Sequence, residues 1–311
     1  VLVFSKTKGY RHESIGVGKL TLLDLGNKNG FDVDTTENSA FFHEDSLKRY
    51  RAVIFLNTTQ DVLDPVQQAD FKRFIEAGGG FMGIHAAADT EYEWPWYGDL
   101  LGAYFKSHPK TQEAKFVKSE DSELVRNLPK EWIRTDELYN YKRISKDIKV
   151  LYTLDETSYE GGENGDYHPI AWYHEFQGGR SFYTGMGHTP ESYADSLFRD
   201  HLLQGIKYVT GGVAKLDYSK AKTVRAPEEN RFTKVVLDFN LDEPTEMAIL
   251  PDGKIIFTER KGAVKLYTPD DGKVNLINTL TVGTKFEDGV IGITADPDFA
   301  KNNWLYIFYS H

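Results

Sequence analysis

The sequence predicts two successive fold classes: an α/β doubly wound parallel sheet over residues 1–212, then a truncated all-β propeller segment over residues 231–311. Three observations carry this. Apolar strand-like runs alternate with helix-length segments through the first part of the chain. From residue 231 short β runs are parted by Pro-Asp-Gly, Arg-Lys-Gly and Asp-Asp-Gly turns. Between the two lies VAKLDYSKAKTVRAPEEN (213–230), polar and without a strong period, which reads as a linker.

The first element is the apolar run VLVFS, followed by the polar, glycine-bearing KTKGYRHES. Ile15, Leu20, Leu23 and Leu25 then recur at roughly helical spacing, and Asn29-Gly30 marks the stop. FDVDTTEN is a second strand. RAVIFLN (51–57) is continuous and apolar, as expected of a strand covered on both faces. Asp64-Pro65 opens a helix that runs to Ala77, with Phe71, Phe74 and Ile75 on one side and Gly78-Gly79-Gly80 after its end. GFMGI (80–84) is the next strand, and His85-Ala86-Ala87-Ala88-Asp89 comes after it. Residues 90–165 are irregular, with short strands at EAKFVK and IKVLYTL, and PIAWYHE comes next. SFYTGM is a further strand after the 178–180 turn, and Glu191–Val209 reads as a closing helix ended by Gly211-Gly212. Beyond the linker, FTKVVLDF, EMAILPDG, KIIFTER, AVKLYTPDDG, KVNLINTLT, GVIGITADPDF and WLYIFYS are β runs. They amount to about two propeller blades where a ring needs at least four, so the expectation is an N-terminal piece of a longer polypeptide.

Acidic residues outnumber basic ones, 47 to 37. The resulting field has the wrong sign for nucleic acid or an anionic membrane as partner. No apolar run approaches the roughly 18 residues of a bilayer span. Cysteine is absent, which excludes disulfides, thiolate zinc sites, iron–sulfur clusters and a cysteine nucleophile. The chain starts at Val1 inside a strand-like run, so a removed secretory leader and a periplasmic or secreted location are expected.

Open α/β sheets bind ligands beyond the carboxyl ends of their strands. Tyr10, Arg11 and His12 come after the first strand, Thr58, Thr59 and Gln60 after the third, His85 after the fourth, and Gly187-His188 after the last. His12, His85 and His188 suit either of two uses: general acid–base work near neutral pH, or ligation of zinc or another divalent metal with one position left open. Gly83-Ile84-His85-Ala86-Ala87 has the outline of a nucleophile elbow with histidine at its tip, where a base or a ligand is the better reading. Asp136 and Glu137 add two acids in an otherwise irregular stretch, and Glu191 comes after His188 near a helix start. Trp94, Trp96 and Tyr97 serve either as a stacking wall for a sugar ring or as core.

These residues lie in segments that carry a family resemblance. SKTKGYRHESI, GGGFMGIHAA, LLGAYFKSHP, DELYNY and GGRSFYTGMGHTPESY together resemble the ThuA-like (trehalose-utilisation) family across residues 1–212. That family is similar in fold to class I glutamine amidotransferases, a flavodoxin-like sandwich. The amidotransferase pattern places cysteine where His85 stands, so glutamine hydrolysis by that route is excluded. EMAILPDGKIIFTERKGAVKLY and EDGVIGITADPDFAKNNWLYIFYS resemble the opening blades of PQQ-dependent glucose/sorbosone dehydrogenases. That family's downstream catalytic histidine and quinone ligands are not among these residues, so no PQQ binding is expected of them.

The functional expectation is a carbohydrate-utilisation protein acting on a sugar or keto-sugar in a histidine-lined crevice, as a hydrolase, lyase or isomerase. His85, His188, Glu137 and Asp136 are its candidate catalytic residues. Tyr10, Arg11, His12, Thr59, Trp94, Trp96 and Tyr139 are candidates for binding the sugar, and His12, His85 and His188 for binding metal. The alternative is a non-catalytic carbohydrate-binding module of a larger sugar oxidoreductase. Self-association is compatible with either.

Overall fold

Strand alternation resolves into one nine-stranded mixed sheet in the computed structural model, which describes residues 1–119, 122–225 and 233–311. Its strands are β1 (Leu2–Phe4), β2 (Asp34–Thr36), β3 (Ala52–Leu56), β4 (Gly80–Ile84), β6 (Gln112–Lys118), β7 (Glu131–Asp136), β9 (Lys149–Leu154), β10 (Pro169–Phe176) and β11 (Gly179–Thr184). A separate pair, β5 (Tyr104–Ser107) with β8 (Asn140–Lys142), stands apart from it. The order is β2-β1-β3-β4-β11-β10-β9-β6-β7. The first five strands are mutually parallel and the last four run antiparallel to their neighbours.

Helices α1 (Ile15–Asn29), α2 (Glu44–Leu47), α3 (Pro65–Glu76), α4 (Pro95–Leu101) and α5 (Ser196–Thr210) cover both faces of the parallel half. On one face Leu56 of β3 lies against Gly18 of α1, and Phe182 of β11 against Gly205 of α5. On the other, Phe55 and Phe81 pack on Phe71 of α3. β3 and β4 are buried at every position, as their unbroken apolar runs predict. The start of α3 is set by a capping box: the Asp64 carboxylate accepts the Gln67 N–H, and the Gln67 side chain accepts the N–H of Asp64.

Several expectations are corrected. The buried stripe of α1 runs through Ile15, Gly18, Leu22 and Leu25, while Leu20 is 67% exposed, because the glycine admits Leu56 and Tyr193 to the helix backbone. Glu191 lies in a 3-10 turn, Pro190–Ala194, rather than in the closing helix; Thr189 caps that turn and Asp195 caps α5 anew. The stretch around Asp136 is strand β7, whose alternate burial matches a half-covered antiparallel edge.

The chain divides into two compact units, Val1–Ala226 and Pro227–His311. The part of the expected linker that is described, residues 213–225, packs on the α/β unit. Glu76 accepts N–H groups of Lys222 and Thr223, Arg73 donates to the Thr223 carbonyl, and Arg225 pairs with the buried Asp70. Residues 226–230 lie outside the described residues.

The second unit holds a four-stranded antiparallel meander, β12 (Pro244–Ile249), β13 (Ile255–Glu259), β14 (Ala263–Thr268) and β15 (Lys273–Thr279). It also holds the short helix α6 (Phe299–Asn302) and the pair β16 (Val290–Ala295) with β17 (Leu305–Tyr309), consistent with part of a propeller. Leu250, Ile256, Val264 and Ile293 form its small core. The expected strand FTKVVLDF (232–239) does not form over residues 233–239, and Phe232 lies outside the described residues. Among the described residues no helix is long and apolar enough to cross a membrane.

Candidate active site

Four loops meet at one edge of the sheet: those after β1, β4, β7 and β11. They carry His12, His85, Glu137 and His188, whose ligand-capable atoms all lie within 4.8 Å of one another. The ring centroids of His12 and His85 are 4.9 Å apart, of His12 and His188 5.1 Å, and of His85 and His188 5.2 Å. Imidazoles more than seventy positions apart in sequence thus share one mouth, as the carboxyl-end rule for parallel strands predicts.

His85 stands at φ +48°, a conformation that a non-glycine residue adopts at a cost and that concentrates at functional sites. This is the elbow geometry, leading into a 3-10 turn over His85–Asp89 rather than an α-helix. The Tyr183 hydroxyl donates to the His85 carbonyl at 2.8 Å and holds the bend. His85 Nδ1 lies 2.8 Å from the Gly185 carbonyl, which can only accept, so the proton is on Nδ1. Nε2 therefore faces the cluster, 3.3 Å from Glu137 Oε2. Two acceptors that close require a proton or a cation between them.

Burial raises a carboxyl, but the hydrogen bonds and charges of His188 and His85 outweigh it and hold Glu137 well below the usual carboxylate range. His188 Nδ1 is 3.2 Å from Glu137 Oε2; burial works to lower this imidazole, and the Glu137 carboxylate wins and raises it. His12 is driven down to about 3, first by burial and then by His85 and His188, so it is neutral at physiological pH. Its Nδ1 is buried without a hydrogen-bond partner among the described residues. Three imidazoles and a carboxylate, one of them with an unsatisfied buried nitrogen, form a donor set that suits a divalent cation of the zinc class.

The cluster opens into a cleft of about 410 Å³ lined by Tyr10, His12, Asp89, Phe105, His108, Glu137, Tyr139 and His188. The Tyr139 ring lies tilted against His85 at 4.2 Å, and the Phe105 ring tilted against Tyr139 at 4.4 Å, giving one aromatic wall. Burial raises the Asp89 carboxyl, and the Tyr92 hydroxyl donates to it at 2.6 Å. Another depression, of about 510 Å³, lies in the other unit between Val235, Leu237, Met247 and Phe257; it is mainly apolar, with Lys234, Asp238 and Glu246 on its lining, and no histidine lines it.

The sequence profile of the trehalose-utilisation (ThuA) family matches residues 1–209. The chain belongs to the ThuA family. A ThuA-like protein from Bacteroides uniformis superposes on the ThuA unit with a TM-score of 0.58 at 24% identity, covering 67% of this chain and 90% of that one. One from Parabacteroides merdae gives 0.58 at 20% identity, covering 70% and 91%. Residues 241–311 match the glucose/sorbosone dehydrogenase family. Quinoprotein glucose dehydrogenase B of Acinetobacter calcoaceticus is 29% identical over 111 residues, 34% of this chain and 23% of that protein. The chain thus spans less than a quarter of that relative's length.

Within the ThuA unit the expected site residues separate into three groups. His12, His85, His188, Glu137, Tyr10 and Tyr139 are brought together. Asp136 and Thr59 are not in the cleft but hold it: Asp136 accepts the backbone N–H groups of Gly187 and His188, and Thr59 accepts the Gly9 N–H and donates to the Tyr10 carbonyl. Arg11, Trp94 and Trp96 are elsewhere. Arg11 is spent on a paired contact with Glu37, at 3.0 and 2.9 Å, beside Lys19. Trp94 and Trp96 stack on each other, and Trp96 bonds Gln177 in the β10–β11 turn and packs on Phe176, at the opposite edge of the sheet. These tryptophans therefore do not line the cleft.

Three contributors were not singled out by the sequence. His108 Nδ1 lies 3.1 Å from Glu137 Oε1, and its only signal is its place in the family-like SHP segment. Asp89 closes the run GIHAAAD. Ser14, which receives a hydrogen bond from Asn57 and donates to the Gly187 carbonyl, ties the segments after β1, β3 and β11 together; one serine in a polar stretch carries no such message.

Proposed function

We propose that this chain is a carbohydrate-transforming enzyme whose ThuA unit acts on a sugar or keto-sugar at the His12–His85–His188–Glu137 centre by metal-assisted acid–base chemistry. Family membership and the sugar-dehydrogenase-like second unit support a carbohydrate-related role. The observation that carries the catalytic reading is the convergence of four titratable side chains from four loops in an open cleft.

Each residue has its own part in this work. His12, His85, His188 and Glu137 would hold the cation, and a divalent ion of this class would supply Lewis acidity and a water acidified toward neutral pH. Gly185 orients His85 through its carbonyl, and Asp136 orients His188 through its backbone, as the groups behind the ligands do in metal sites. His108 contacts Glu137 from the solvent side and passes protons between the centre and bulk water. Tyr139 and Phe105 present an apolar face to a sugar ring, and Asp89 accepts from its hydroxyls.

The binding-module alternative rested on Trp94, Trp96 or Tyr97; Tyr97 is buried in the core, where its hydroxyl donates to the Ala87 carbonyl, and the tryptophans do not line the cleft. The test is elemental analysis of protein purified without added metal, then zinc titration of the wild type and of His85→Ala and His188→Ala. Turnover is then assayed on disaccharides and keto-sugars. Stoichiometric metal, lost in both variants together with turnover, is expected. Unchanged rates in either variant on an active substrate overturn the reading.

A further inference from the structure

Two carboxyl groups line the cleft, Glu137 and Asp89, and their surroundings push them apart. Burial works to raise Glu137, and the hydrogen bonds and charges of His188 and His85 overcome it, so Glu137 is ionised. At Asp89 the balance goes the other way. Burial raises this carboxyl and outweighs the Tyr92 hydroxyl, Lys142, His85 and His108, all of which favour its ionised form.

The position of Asp89 is fixed. It closes the 3-10 turn that His85 opens, and the three alanines between them are fully buried. The Tyr97 hydroxyl donates to the Ala87 carbonyl at 2.8 Å, and the Gln60 N–H to the Asp89 carbonyl at 2.7 Å. Among the described residues the Asp89 side chain makes one hydrogen bond, from the Tyr92 hydroxyl to Oδ1 at 2.6 Å. Burial, then Asp89, raises the Tyr92 hydroxyl, so it stays a donor, and Lys142 Nζ lies over its ring at 4.7 Å. Oδ2 has no partner and is open to solvent. With Oδ1 occupied, a proton on this carboxyl belongs on Oδ2. Two carboxyls whose environments favour opposite protonation states let one cleft keep an acid beside an anion near neutral pH.

We infer that Asp89 is the general acid of this centre, with Oδ2–H protonating the substrate oxygen that leaves carbon, and that Tyr92 is the positioning residue that keeps Oδ2 for the cleft. The inference rests on the sugar reading of the centre and adds the source of the proton. The C–O bond breaks with its electron pair kept by oxygen, and the Asp89 proton makes that oxygen a hydroxyl. A water oxygen bonds to the carbon, and the proton this water gives up restores Asp89. Nothing is oxidised or reduced.

Two readouts test this. Carbon-13 NMR of aspartate-labelled, zinc-free protein follows the Asp89 carboxyl, assigned by its loss in Asp89→Asn. It is expected to titrate above the ordinary aspartate range, and higher still in Tyr92→Phe, where a donor to the ionised form is gone. Turnover is then measured on whichever disaccharide or keto-sugar the zinc-loaded wild type converts. Asp89→Asn, folded by its melting transition, lowers kcat by about a hundredfold or more and leaves KM and zinc affinity within about twofold. It also abolishes the alkaline limb, where the rate falls as Asp89 loses its proton, and Tyr92→Phe moves that limb to higher pH. An undiminished kcat in Asp89→Asn, an alkaline limb that persists in it, or a carboxyl that titrates in the ordinary range and ignores Tyr92→Phe overturns the assignment and leaves the sugar reading standing. If zinc binds and the wild type converts none of the sugars, the sugar reading of the centre falls, and the assignment with it.

Discussion

The Asp136 carboxylate accepts the backbone N–H of His188 at 3.0 Å, so a side chain outside the cleft fixes a ring inside it. The same carboxylate takes the Gly187 N–H at 3.0 Å and pairs with Arg134, which is itself buried under Trp132 and Phe198. Gly187, at φ +107°, makes the turn that only glycine makes cheaply and leaves room for the Tyr193 hydroxyl at its carbonyl.

Replacing Asp136 therefore acts on both stability and the centre. Asp136→Ala strands Arg134 in the interior and is expected to cost about 3–5 kcal/mol. Asp136→Asn keeps an acceptor and the shape, stays folded, and lowers zinc affinity by about ten- to a hundredfold through the displaced His188. Chemical denaturation and zinc competition titration read the two effects. Wild-type zinc affinity in the folded Asn variant would show that Asp136 does not position the ring.

His201 is one source of the acid limb of stability, beside His12. It is fully buried between Phe182 and Phe198, and neither ring nitrogen has a partner among the described residues. Burial, then Arg134, drives the imidazole down to about 3. The unfolded chain takes up this proton near pH 6.5 and the folded chain refuses it until about pH 3, so stability falls as pH falls through that window. Between about pH 7 and pH 4.5 the residue is expected to remove roughly 2–3 kcal/mol. His201→Leu flattens that limb and is neutral or stabilising at neutral pH. Urea midpoints of both proteins across the range decide it; parallel curves refute the assignment.

Trp96 and Tyr10 separate packing from binding. Trp96 sits among Trp94, Phe71 and Phe176, so Trp96→Ala is expected to cost about 2–4 kcal/mol of stability. Zinc and sugar affinity should remain within about twofold of wild type. Tyr10→Ala does the reverse: the melting transition is kept and sugar binding is weakened. Loss of sugar binding in folded Trp96→Ala protein would return the tryptophans to the site.

Much of the α/β unit was legible because its signals are local. The runs of β3 and β4, the Asp64-Pro65 start of α3 and the Gly30 stop of α1 each depend on neighbours within a few positions. The second unit's six strands were legible for the same reason, through their turns. Even the three histidines could be placed together, since the loops that leave the carboxyl ends of parallel strands gather at one edge of the sheet. His108 was not, because it hangs from the β5–β8 pair, and nothing local in its sequence says that this pair folds over the sheet's mouth.

By itself, then, the chain's order of residues determined the alternation of strands and helices, the absence of thiol chemistry, and which imidazoles stand at strand ends. Only the tertiary structure decided what each polar group faces. It turned Arg11 to Glu37, sent Trp94 and Trp96 to the far edge, made Asp136 a support instead of a reactant, and brought Glu137 between His85 and His188. The physical reason is that backbone periodicity is written in short-range sterics and hydrophobicity. The partner of a buried polar group is chosen by through-space proximity among residues far apart in the chain, as with Ser14 and the Gly187 carbonyl, 173 positions apart.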